Sequence, residues 1–326
     1  MLALMKTSRS RGAQLADVPV VRPGKGETLI KVHRASICGS DLPIFNWTSW
    51  APHRIHPPMI FGHEICGEIA ECGPDVKNIR PGDRVAVESH IFCEACASCL
   101  AGDRHLCRKM SLIGVDANGG FAEYITVPER VLWKLGSHIP YDYASLMEPM
   151  GNALYATCVE PVTGKTVLVM GCGPQGLYAV QIAKAMGASL VVAVEKSPFR
   201  AKLAKTLGAD HVFGHEGDGD LKEKLLGLKK TKEGFDVCLE MSGADQLVAL
   251  AFQVLRNGGR LSLFGITAGK MGIDLGEDEL DRLISERKVN LESVVSHSFP
   301  LKEAQQAFEL FSGPQRDCGK IIFALN

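Results

Sequence analysis

Strand-like and helix-like segments alternate along the chain from about residue 152 to about residue 272. An apolar run at Thr166–Met170 has the length of a buried strand, a helical pattern follows at 177–186, and a second apolar run covers Leu190–Val194. Further helical and apolar segments follow at 198–207, 211–213, 236–239, 246–255 and 260–264. This order predicts a doubly wound parallel sheet with helices on both faces.

The chain up to about Gly151 has a different pattern. It is rich in Pro and Gly and breaks into short apolar stretches, which predicts a domain of mostly strands and turns. A length of 326 residues favours two domains. The segment 1–11 is apolar only at its start and does not predict a signal peptide, and no apolar run reaches the length of a membrane span.

Composition narrows the possible partners and compartment. The 36 Lys and Arg nearly balance the 37 Asp and Glu, so net charge favours neither nucleic acid nor an anionic membrane as a partner. Outside the metal motifs described below, the cysteines are scattered through apolar sequence. This scatter predicts reduced thiols and a cytoplasmic protein.

Four cysteines lie close together at Cys93, Cys96, Cys99 and Cys107. Their spacing suits a tetrahedral zinc held by four thiolates in a closed, structural site. The residues between them have little apolar content, so a metal rather than burial must order this segment. The alternatives are four scattered thiols or two disulfides, but adjacent C-x2-C pairs fit disulfide geometry poorly.

A second metal signature combines Cys38 with Gly62, His63 and Glu64. A mixed set of Cys, His and carboxylate ligands is typical of a catalytic zinc that keeps one position open for water or substrate. Glu148 is a candidate fourth ligand. Each of these residues also has a structural interpretation, as a buried thiol, a packed histidine or a solvated carboxylate. The neighbouring glycines, which permit tight backbone around a site, favour the metal interpretation.

A glycine-rich segment joins the strand at Thr166–Met170 to the helical pattern that follows. Its G-x-G-x-x-G sequence stands between a strand and a helix, which is the context that a dinucleotide fingerprint requires. The glycines let the backbone approach a pyrophosphate at the N-terminus of the helix. The cofactor contacts predicted in this segment are Gly171, Gly173, Pro174, Gln175, Gly176 and Leu177.

Glu195 follows the next predicted strand directly. An acid at this position can accept hydrogen bonds from the adenosine ribose hydroxyls and would repel the 2′-phosphate of NADP, so the sequence favours NAD. Lys196 and Arg200 lie close by, and basic side chains can tolerate a phosphate. NADP is therefore the alternative.

Together these motifs resemble the zinc-dependent medium-chain alcohol dehydrogenases. The features similar to the whole superfamily are segment 37–41, segment 62–64, the four-cysteine segment and the glycine loop. Four further segments resemble the threonine dehydrogenases rather than the polyol dehydrogenases; they are 45–50, 88–91, 148–153 and 239–244.

The resemblance implies an α/β fold, with a GroES-like, mainly-β catalytic domain and a doubly wound parallel-sheet (Rossmann) domain that binds NAD. It implies a catalytic domain at 1–151 and 289–326, a dinucleotide-binding domain at 152–288, and a small-molecule substrate between them. It also implies one catalytic and one structural zinc per chain, and a homo-oligomer, either a dimer or a tetramer. Further cofactor contacts implied by the resemblance are Phe264, Gly265 and Ile266.

The chain departs from the family at the proton relay. In the family, the relay uses a Ser or Thr two residues after the cysteine ligand and a histidine three residues further on. Ser40 matches the first position, but Pro43 occupies the second and has no titratable group. His53, His56 or water could replace the histidine, but the sequence favours the interpretation of both histidines as exposed loop residues. His90 is interpreted as a neighbour of the substrate, with a packed histidine as the alternative.

A second departure follows segment 264–266, where the family has a further strand that this chain lacks. In the family that strand is the edge of the nucleotide sheet and pairs with its twin across a dimer axis. Its loss is expected to expose a new sheet edge, to weaken cofactor binding and to alter assembly.

Three functional hypotheses are left. The first is NAD-dependent oxidation of L-threonine at its 3-hydroxyl to 2-amino-3-oxobutyrate. The second is oxidation of another secondary alcohol, such as a polyol, a butanediol or a cyclitol, which the proline at position 43 makes possible. The third is a zinc-binding relative with little activity, which the two departures together suggest.

Overall fold

The computed structural model describes residues 1–214, 220–228, 230–265, 295–300 and 320–324, together with residues 303, 306 and 310. The chain divides into two compact units, Met1–Ala268 and Gly269–Asn326. Within the described ranges, no helix is both long enough and apolar enough to cross a membrane.

The first part of the first unit is built mainly of strands, as the Pro- and Gly-rich sequence predicts. These strands are β1 (Leu2–Lys6), β2 (Gln14–Asp17), β3 (Glu27–Ser36), β4 (Met59–Ile60), β5 (Glu64–Cys72), β6 (Arg84–Val87), β7 (His90–Ile91), β8 (Ser111–Leu112), β9 (Tyr124–Pro128) and β10 (Leu132–Lys134). Five of them form an antiparallel sheet in the order β10-β6-β5-β3-β9. Branched side chains such as Ile30, Ile65 and Val85 fill its core, and such residues favour strands.

Smaller elements complete this mainly-β part. A three-stranded sheet has the order β2-β1-β4, and β7 pairs with β8. The helices of this part of the chain are α1 (Asp41–Asn46), α2 (Ala97–Leu100), α3 (Tyr141–Ala144) and α4 (Met147–Cys158). Short 3-10 turns occur at Ala51–His53, Arg104–Leu106 and Glu129–Val131.

The second part of the first unit is the predicted parallel sheet with its helices. Its elements are β11 (Thr166–Met170), α5 (Pro174–Ala185), β12 (Leu190–Val194), α6 (Pro198–Thr206), β13 (His211–Phe213), α7 (Leu221–Leu226), β14 (Phe235–Glu240), α8 (Asp245–Val254) and β15 (Leu255–Leu263). The strands are parallel and lie in the order β13-β12-β11-β14-β15. The order reverses between β11 and β14, and ligands of such sheets bind at that switch point.

The two faces of this parallel sheet bury separate apolar clusters. Val167 and Val169 pack with Ala179 of α5 on one face, whereas Leu168 packs with Ala251 of α8 on the other. Every residue of β11 and β12 is buried. Because both faces are covered, these strands have continuous apolar sequences instead of alternating ones, which is why the pattern predicts them well.

Two element boundaries differ from the sequence prediction by three residues or more. Helix α5 begins at Pro174, three residues before the predicted start, because proline is well accepted in the first helical turn, where its missing N–H is not needed. Strand β15 begins at Leu255, directly after α8, instead of at Arg260.

In the second unit, β16 (Val295–Pro300) pairs with β17 (Lys320–Ala324) in a two-stranded parallel sheet. Two sequence predictions, the lost strand and the cofactor contact at Ile266, lie outside the described residues. The division into 1–151 with 289–326 and 152–288 stays a prediction.

Candidate metal centres and cofactor site

Cys38, His63 and Glu64 lie together where β3 and β5 meet. Their candidate ligand atoms are all within 4.8 Å of one another. Cys38 lies between β3 and α1, His63 directly precedes β5, and Glu64 is the first residue of that strand. His63 and Glu64 are buried, and Cys38 is half-buried. The fold therefore brings together three of the residues that the sequence predicts as metal ligands.

The pairing of β3 with β5 positions Glu64. Ser36, the last residue of β3, stands opposite Glu64 in the register, and its hydroxyl donates a hydrogen bond of 2.5 Å to Oε2 of Glu64. Gly62 has a φ of 89°, and a Cβ there would lie 2.5 Å from the ring of Phe121. A larger residue at position 62 would thus be strained and would clash with Phe121, directly beside the His63–Glu64 pair.

Asp41, in the first turn of α1, contacts two of these candidate ligands. Its Oδ2 accepts a hydrogen bond of 2.9 Å from the N–H of Cys38, and its Oδ1 lies 3.6 Å from Nδ1 of His63. Oδ1 of Asp41 and Nδ1 of His63 are buried and have no hydrogen-bond partner among the described residues. Burial raises the pKa of Asp41. An imidazole whose Nδ1 faces a carboxylate offers its Nε2 to a metal.

This donor set fits a catalytic zinc. Burial raises the pKa of the Cys38 thiol to about 11, so the thiol needs a neighbouring cation to ionise near neutral pH. Cys, His and carboxylate, with a second carboxylate behind the imidazole, are typical of an open zinc site.

A second group consists of Glu88, His90 and Glu148, whose candidate ligand atoms also lie within 4.8 Å of one another. Nδ1 of His90 is 2.6 Å from Oε1 of Glu88, and this hydrogen bond raises the pKa of His90. Oε1 of Glu148 accepts hydrogen bonds from the Ser89 hydroxyl (2.5 Å) and the Asn152 amide (3.4 Å). Burial raises the pKa of Glu148. Two carboxylates and an imidazole thus form an acidic patch.

The acidic patch is electrostatically coupled to the first group, because the charges of His63 and Glu64 act on Glu148. Glu148 nevertheless does not belong to the group of Cys38, His63 and Glu64, whose candidate ligand atoms all lie within 4.8 Å of one another. Its predicted place as a fourth zinc ligand stays a prediction.

The predicted proton relay is only partly assembled. The Ser40 hydroxyl lies 3.5 Å from Nε2 of His63. Pro43 is part of α1, and His53 and His56 are both exposed. Exposure agrees with the interpretation of the two histidines as loop residues.

Sequence reasoning missed the residues that support these ligands. Asp41 and Glu88 lie within three residues of predicted site residues, so their nearness in sequence was a usable signal. Ser36 and Ser89 also lie within two residues of predicted site residues, Cys38 and His90, but their contacts with Glu64 and Glu148 depend on how β3 pairs with β5 and on where α4 packs.

The four predicted cysteines of the structural site also come together. The Sγ atoms of Cys93, Cys96, Cys99 and Cys107 lie within 4.8 Å of one another; Cys96 is 3.5 Å from Cys99 and 3.9 Å from Cys107. Four sulfurs, each about 2.3 Å from a tetrahedral zinc, are about 3.8 Å apart. The cluster therefore has the dimensions of a closed zinc site.

The surroundings of this cluster favour a metal as well. Hydrogen bonds from the N–H groups of Cys99 and Arg108 lower the pKa of Cys96 to about 6, whereas burial raises that of Cys99 to about 12. The local apolar core is only Phe92 with Cys99 and Cys107, supported by partly buried neighbours. So little apolar surface cannot order the segment alone, and zinc would both ionise Cys99 and hold the chain.

The glycine loop between β11 and α5 borders a cavity of about 340 Å³ at the switch point of the parallel sheet. Gly171 has a φ of 89°, and a Cβ at Gly176 would lie 1.9 Å from the Gly171 carbonyl oxygen. Both glycines are therefore needed for the turn into α5. Of the predicted cofactor contacts, those lining the cavity are Gly171, Gly173, Glu195, Lys196 and Arg200. Those in the first turn of α5 are Pro174, Gln175, Gly176 and Leu177.

Glu195 is buried, and its carboxylate accepts three hydrogen bonds. Oε2 accepts from the N–H of Cys172 (2.7 Å), and Oε1 accepts from the N–H of Ser197 (2.8 Å) and from the Arg200 guanidinium (2.8 Å). Burial acts to raise the pKa of Glu195, but these donors outweigh it and the pKa is lowered. Glu195 thus ties the glycine loop to the end of β12, a structural role that the sequence did not predict.

A second buried carboxylate, Glu240, ends β14 on the other side of β11. It accepts hydrogen bonds from the N–H groups of Ser242 (2.8 Å) and Gly243 (3.0 Å). Its carbonyl oxygen accepts from those of Phe264 (2.9 Å) and Gly265 (3.0 Å). Glu240 therefore joins two loops at the switch point. One of these loops contains two of the predicted cofactor contacts, Phe264 and Gly265.

Two family models match the chain. Residues 24–137 match the alcohol dehydrogenase GroES-like domain, and residues 174–312 match the zinc-binding dehydrogenase model. The first range contains the Cys38–His63–Glu64 group and the four-cysteine cluster, and the second contains α5 and Glu195. The matches agree with the predicted fold class.

Proteins of similar sequence extend over the whole chain. The chain is 40% identical over 347 positions to an L-threonine 3-dehydrogenase of Pyrococcus abyssi, covering 100% of this chain and 99% of that protein. It is 38% identical to an L-threonine 3-dehydrogenase of Bacillus subtilis, covering 99% and 98% of the two chains. Because this chain has 326 residues, at least 21 positions of the first alignment have no counterpart in it. That agrees with the predicted shortening without locating it.

Solved structures share the fold at lower identity. Galactitol-1-phosphate dehydrogenase of Escherichia coli superimposes with a TM-score of 0.77 at 26% identity, covering 98% of this chain and 99% of that chain. 2R,3R-butanediol dehydrogenase of Bacillus subtilis superimposes with a TM-score of 0.75 at 25% identity, covering 99% of each chain.

Proposed function

Because the chain belongs to the zinc-dependent medium-chain alcohol dehydrogenase family, we propose that it oxidises L-threonine at its 3-hydroxyl with NAD, giving 2-amino-3-oxobutyrate. The observation that carries the proposal is the full-length similarity to proteins named L-threonine 3-dehydrogenase. The largely buried Cys/His/Glu group and the four-cysteine cluster supply the donors that the two zinc ions of this family require.

In the proposed reaction, Cys38, His63 and Glu64 hold the catalytic metal, and Glu148 is a further ligand. A zinc ion bound there supplies a Lewis acid that lowers the pKa of a nearby hydroxyl. The carboxylate of Asp41 orients the imidazole of His63. The hydroxyl of Ser36 keeps the Glu64 carboxylate in place, 2.5 Å away. These contacts hold the ligands before the substrate enters, which reduces the reorganisation needed during reaction.

The acidic patch of Glu88, His90 and Glu148 supports an amino alcohol as the substrate. L-Threonine carries an ammonium group on the carbon next to the one that is oxidised. The two carboxylates provide negative charge for this ammonium close to His63 and Glu64. A neutral diol cannot form this charge–charge contact, which favours the amino alcohol.

Ser40 is the first residue of the proposed proton path. Its hydroxyl, 3.5 Å from Nε2 of His63, accepts the proton that leaves the substrate hydroxyl. Pro43 cannot pass this proton on, and Ser40 is half-buried, not sealed from solvent. In the proposal, Ser40 therefore passes the proton to water.

The cofactor would bind along the cavity of the switch point. The glycine loop and the N-terminus of α5 receive the pyrophosphate, since backbone N–H groups there favour an anion. Glu195 faces the ribose with negative charge and Arg200 lies beside it, so NAD is favoured over NADP. Phe264 and Gly265, held by Glu240, border the nicotinamide in the proposal.

Compartment and assembly are also proposals. The ten cysteines of the described residues are all free thiols, which supports a reducing, cytoplasmic compartment. Like its family, the protein is expected to be a homo-oligomer, with an assembly altered by the missing positions.

Turnover on defined alcohols tests the function. Purified, zinc-loaded protein is given NAD with L-threonine, sorbitol or 2,3-butanediol, and NADH is followed by its absorbance. L-Threonine should give the highest kcat/KM, and Cys38→Ser should abolish turnover, whereas Cys72→Ser, outside both metal groups, should keep it. Preference for butanediol would support the second candidate function, which the similarity to a solved butanediol dehydrogenase favours. If no alcohol gives NADH although both zinc ions are bound, the result would contradict a dehydrogenase function.

A further inference from the structure

Helix α4 connects the two parts of the first unit. It carries Glu148 in its first turn and ends at Cys158. Along its length it contacts β5 and β6 of the mainly-β part and packs against α5 of the parallel-sheet part. A shift of α4 would therefore move Glu148 relative to both the metal ligands and the glycine loop.

Arg260 of β15 binds the C-terminal end of this helix. Its guanidinium donates hydrogen bonds to the carbonyl oxygens of Ala156 (2.8 Å) and Thr157 (2.6 Å). The hydroxyl of Ser262, on the same strand, donates to the Ala156 carbonyl (2.9 Å) and lies 2.7 Å from the Arg260 guanidinium. Three hydrogen bonds thus join β15 to the last turn of α4.

This contact acts as a helix cap. The last four carbonyl groups of a helix have no partner within it, and a positive charge beside them interacts favourably with the helix dipole. Arg260 is half-buried, burial lowers its pKa, and its Nε has no hydrogen-bond partner among the described residues. A half-buried guanidinium depends more on the two carbonyl groups than an exposed one would.

Arg260 also lies on a strand that leads to the cofactor site. Four residues further on, the N–H of Phe264 donates to the carbonyl of Glu240 (2.9 Å). In the other direction, Glu148 lies nine residues before Thr157, about 13 Å along the helix. The contact of Arg260 with α4 therefore links the cofactor loop to Glu148 through two rigid elements.

We propose that Arg260 is a positioning residue for the reaction, which sets the place of Glu148 relative to the metal ligands by holding the end of α4. Arg260 itself touches neither the substrate nor the reacting atoms. The inference rests on the proposed function for the metal at the Cys38 site, for the place of Glu148 beside it and for the substrate with which turnover is measured.

The test compares two arginines of the same strand. Arg260→Met removes the contact with α4. Arg256→Met is the matched control, because Arg256 is also half-buried but binds the Asp236 carboxylate (2.6 Å) and the Asn257 carbonyl (2.8 Å). Both variants should lower the melting temperature, and both should keep the Kd for NAD.

Only Arg260→Met should lower kcat, on the order of tenfold, because small misplacements remote from the chemistry are costly. Arg260→Lys, which keeps the charge and can still reach a carbonyl group, should recover part of the loss. Equal losses of kcat in Arg260→Met and Arg256→Met would overturn the proposal.

A double-mutant cycle with Glu148→Gln tests the route through Glu148. If Arg260 acts through this carboxylate, adding Arg260→Met to Glu148→Gln should cause no further loss of kcat. Independent effects that multiply in the double variant would overturn the proposal.

A readout without turnover separates this proposal from the proposed function. Cobalt is placed in the Cys38 site while zinc stays in the four-cysteine site, and the visible spectrum is compared. The spectrum should change in Arg260→Met and stay constant in Arg256→Met. An unchanged spectrum in both variants would overturn the positioning role of Arg260. Because the spectrum does not depend on turnover, this result holds even if L-threonine is not a substrate.

Discussion

Nδ1 of His63 lies 3.6 Å from Oδ1 of Asp41 in the buried region between β5 and α1. The other oxygen of the same carboxylate accepts a hydrogen bond from the N–H of Cys38. One side chain thus contacts two of the candidate zinc ligands at once. Because it faces the imidazole and binds the cysteine backbone, Asp41 is expected to preorganise the catalytic metal site.

Replacing Asp41 should weaken this metal site. Asp41→Asn removes the negative charge behind His63, so the affinity for zinc at the Cys38 site should fall by about 10- to 100-fold. Zinc content is measured after dialysis against increasing chelator. Asp142→Asn is the control, because Asp142 pairs with Arg34 at the surface. Zinc retention equal in both variants would contradict the role of Asp41.

The four-cysteine cluster should be structural. Cys96→Ser removes one ligand, so the zinc content should fall from about two ions to about one per chain. The melting temperature should fall by several degrees, because the segment has little apolar core of its own. Cys38→Ser is the comparison: it should also lose one zinc, but it should lose turnover and keep most of the stability. The interpretation fails if Cys96→Ser keeps its full zinc content.

Glu195 should control the choice between NAD and NADP. Glu195→Gln keeps the size of the side chain but removes its charge, and so frees Arg200 to meet a 2′-phosphate. The KM for NAD should rise on the order of tenfold, since a charge-assisted hydrogen bond at a ribose is worth about 1.5–3 kcal/mol. The ratio of kcat/KM for NAD to that for NADP should fall.

The control for Glu195 is an acid that contacts the other end of β12. Asp210 directly precedes β13, accepts a hydrogen bond from the N–H of Val191 near the amino end of β12, and pairs with Lys184. Asp210→Asn should affect stability and leave the cofactor ratio unchanged. A ratio unaffected by Glu195→Gln would contradict the cofactor assignment.

Asp116 should make the first unit sensitive to acid. Hydrogen bonds from the Arg54 guanidinium (2.7 and 2.8 Å) hold the pKa of Asp116 below its ordinary value of 3.8. Because the folded pKa lies below the unfolded one, this stabilisation is complete above the unfolded pKa and is lost as pH falls through the folded pKa.

The corresponding experiment follows melting temperature against pH. Asp116→Asn should cost about 0.5–1 kcal/mol near neutral pH, the usual range for a partly exposed ion pair. The difference in melting temperature between Asp116→Asn and the unmodified protein should shrink below about pH 4. A difference that stays constant down to the acid limit of the protein would show that the pair does not contribute through ionisation.

Long-range contacts explain why parts of the site could not be predicted. The hydrogen bond from Ser36 to Glu64 spans 28 positions and depends on the register of β3 with β5. The bond from Arg260 to Ala156 spans 104 positions. Neither residue belongs to a motif that the resemblance uses, and sequence spacing carries no information about which strands and helices meet.

Local patterns were enough for the alternation of strands and helices in the parallel sheet, for the glycine loop and for the members of both groups of candidate zinc ligands. Buried strands show as continuous apolar runs, and a metal or phosphate site needs particular residue types at short spacings. Tertiary structure alone decided the neighbours of these groups. Asp41 faces His63, Glu195 is bound by three donors, and Glu148 lies with Glu88 and His90. These arrangements depend on packing between distant segments, whose geometry is set by the whole core and not by any one stretch of sequence.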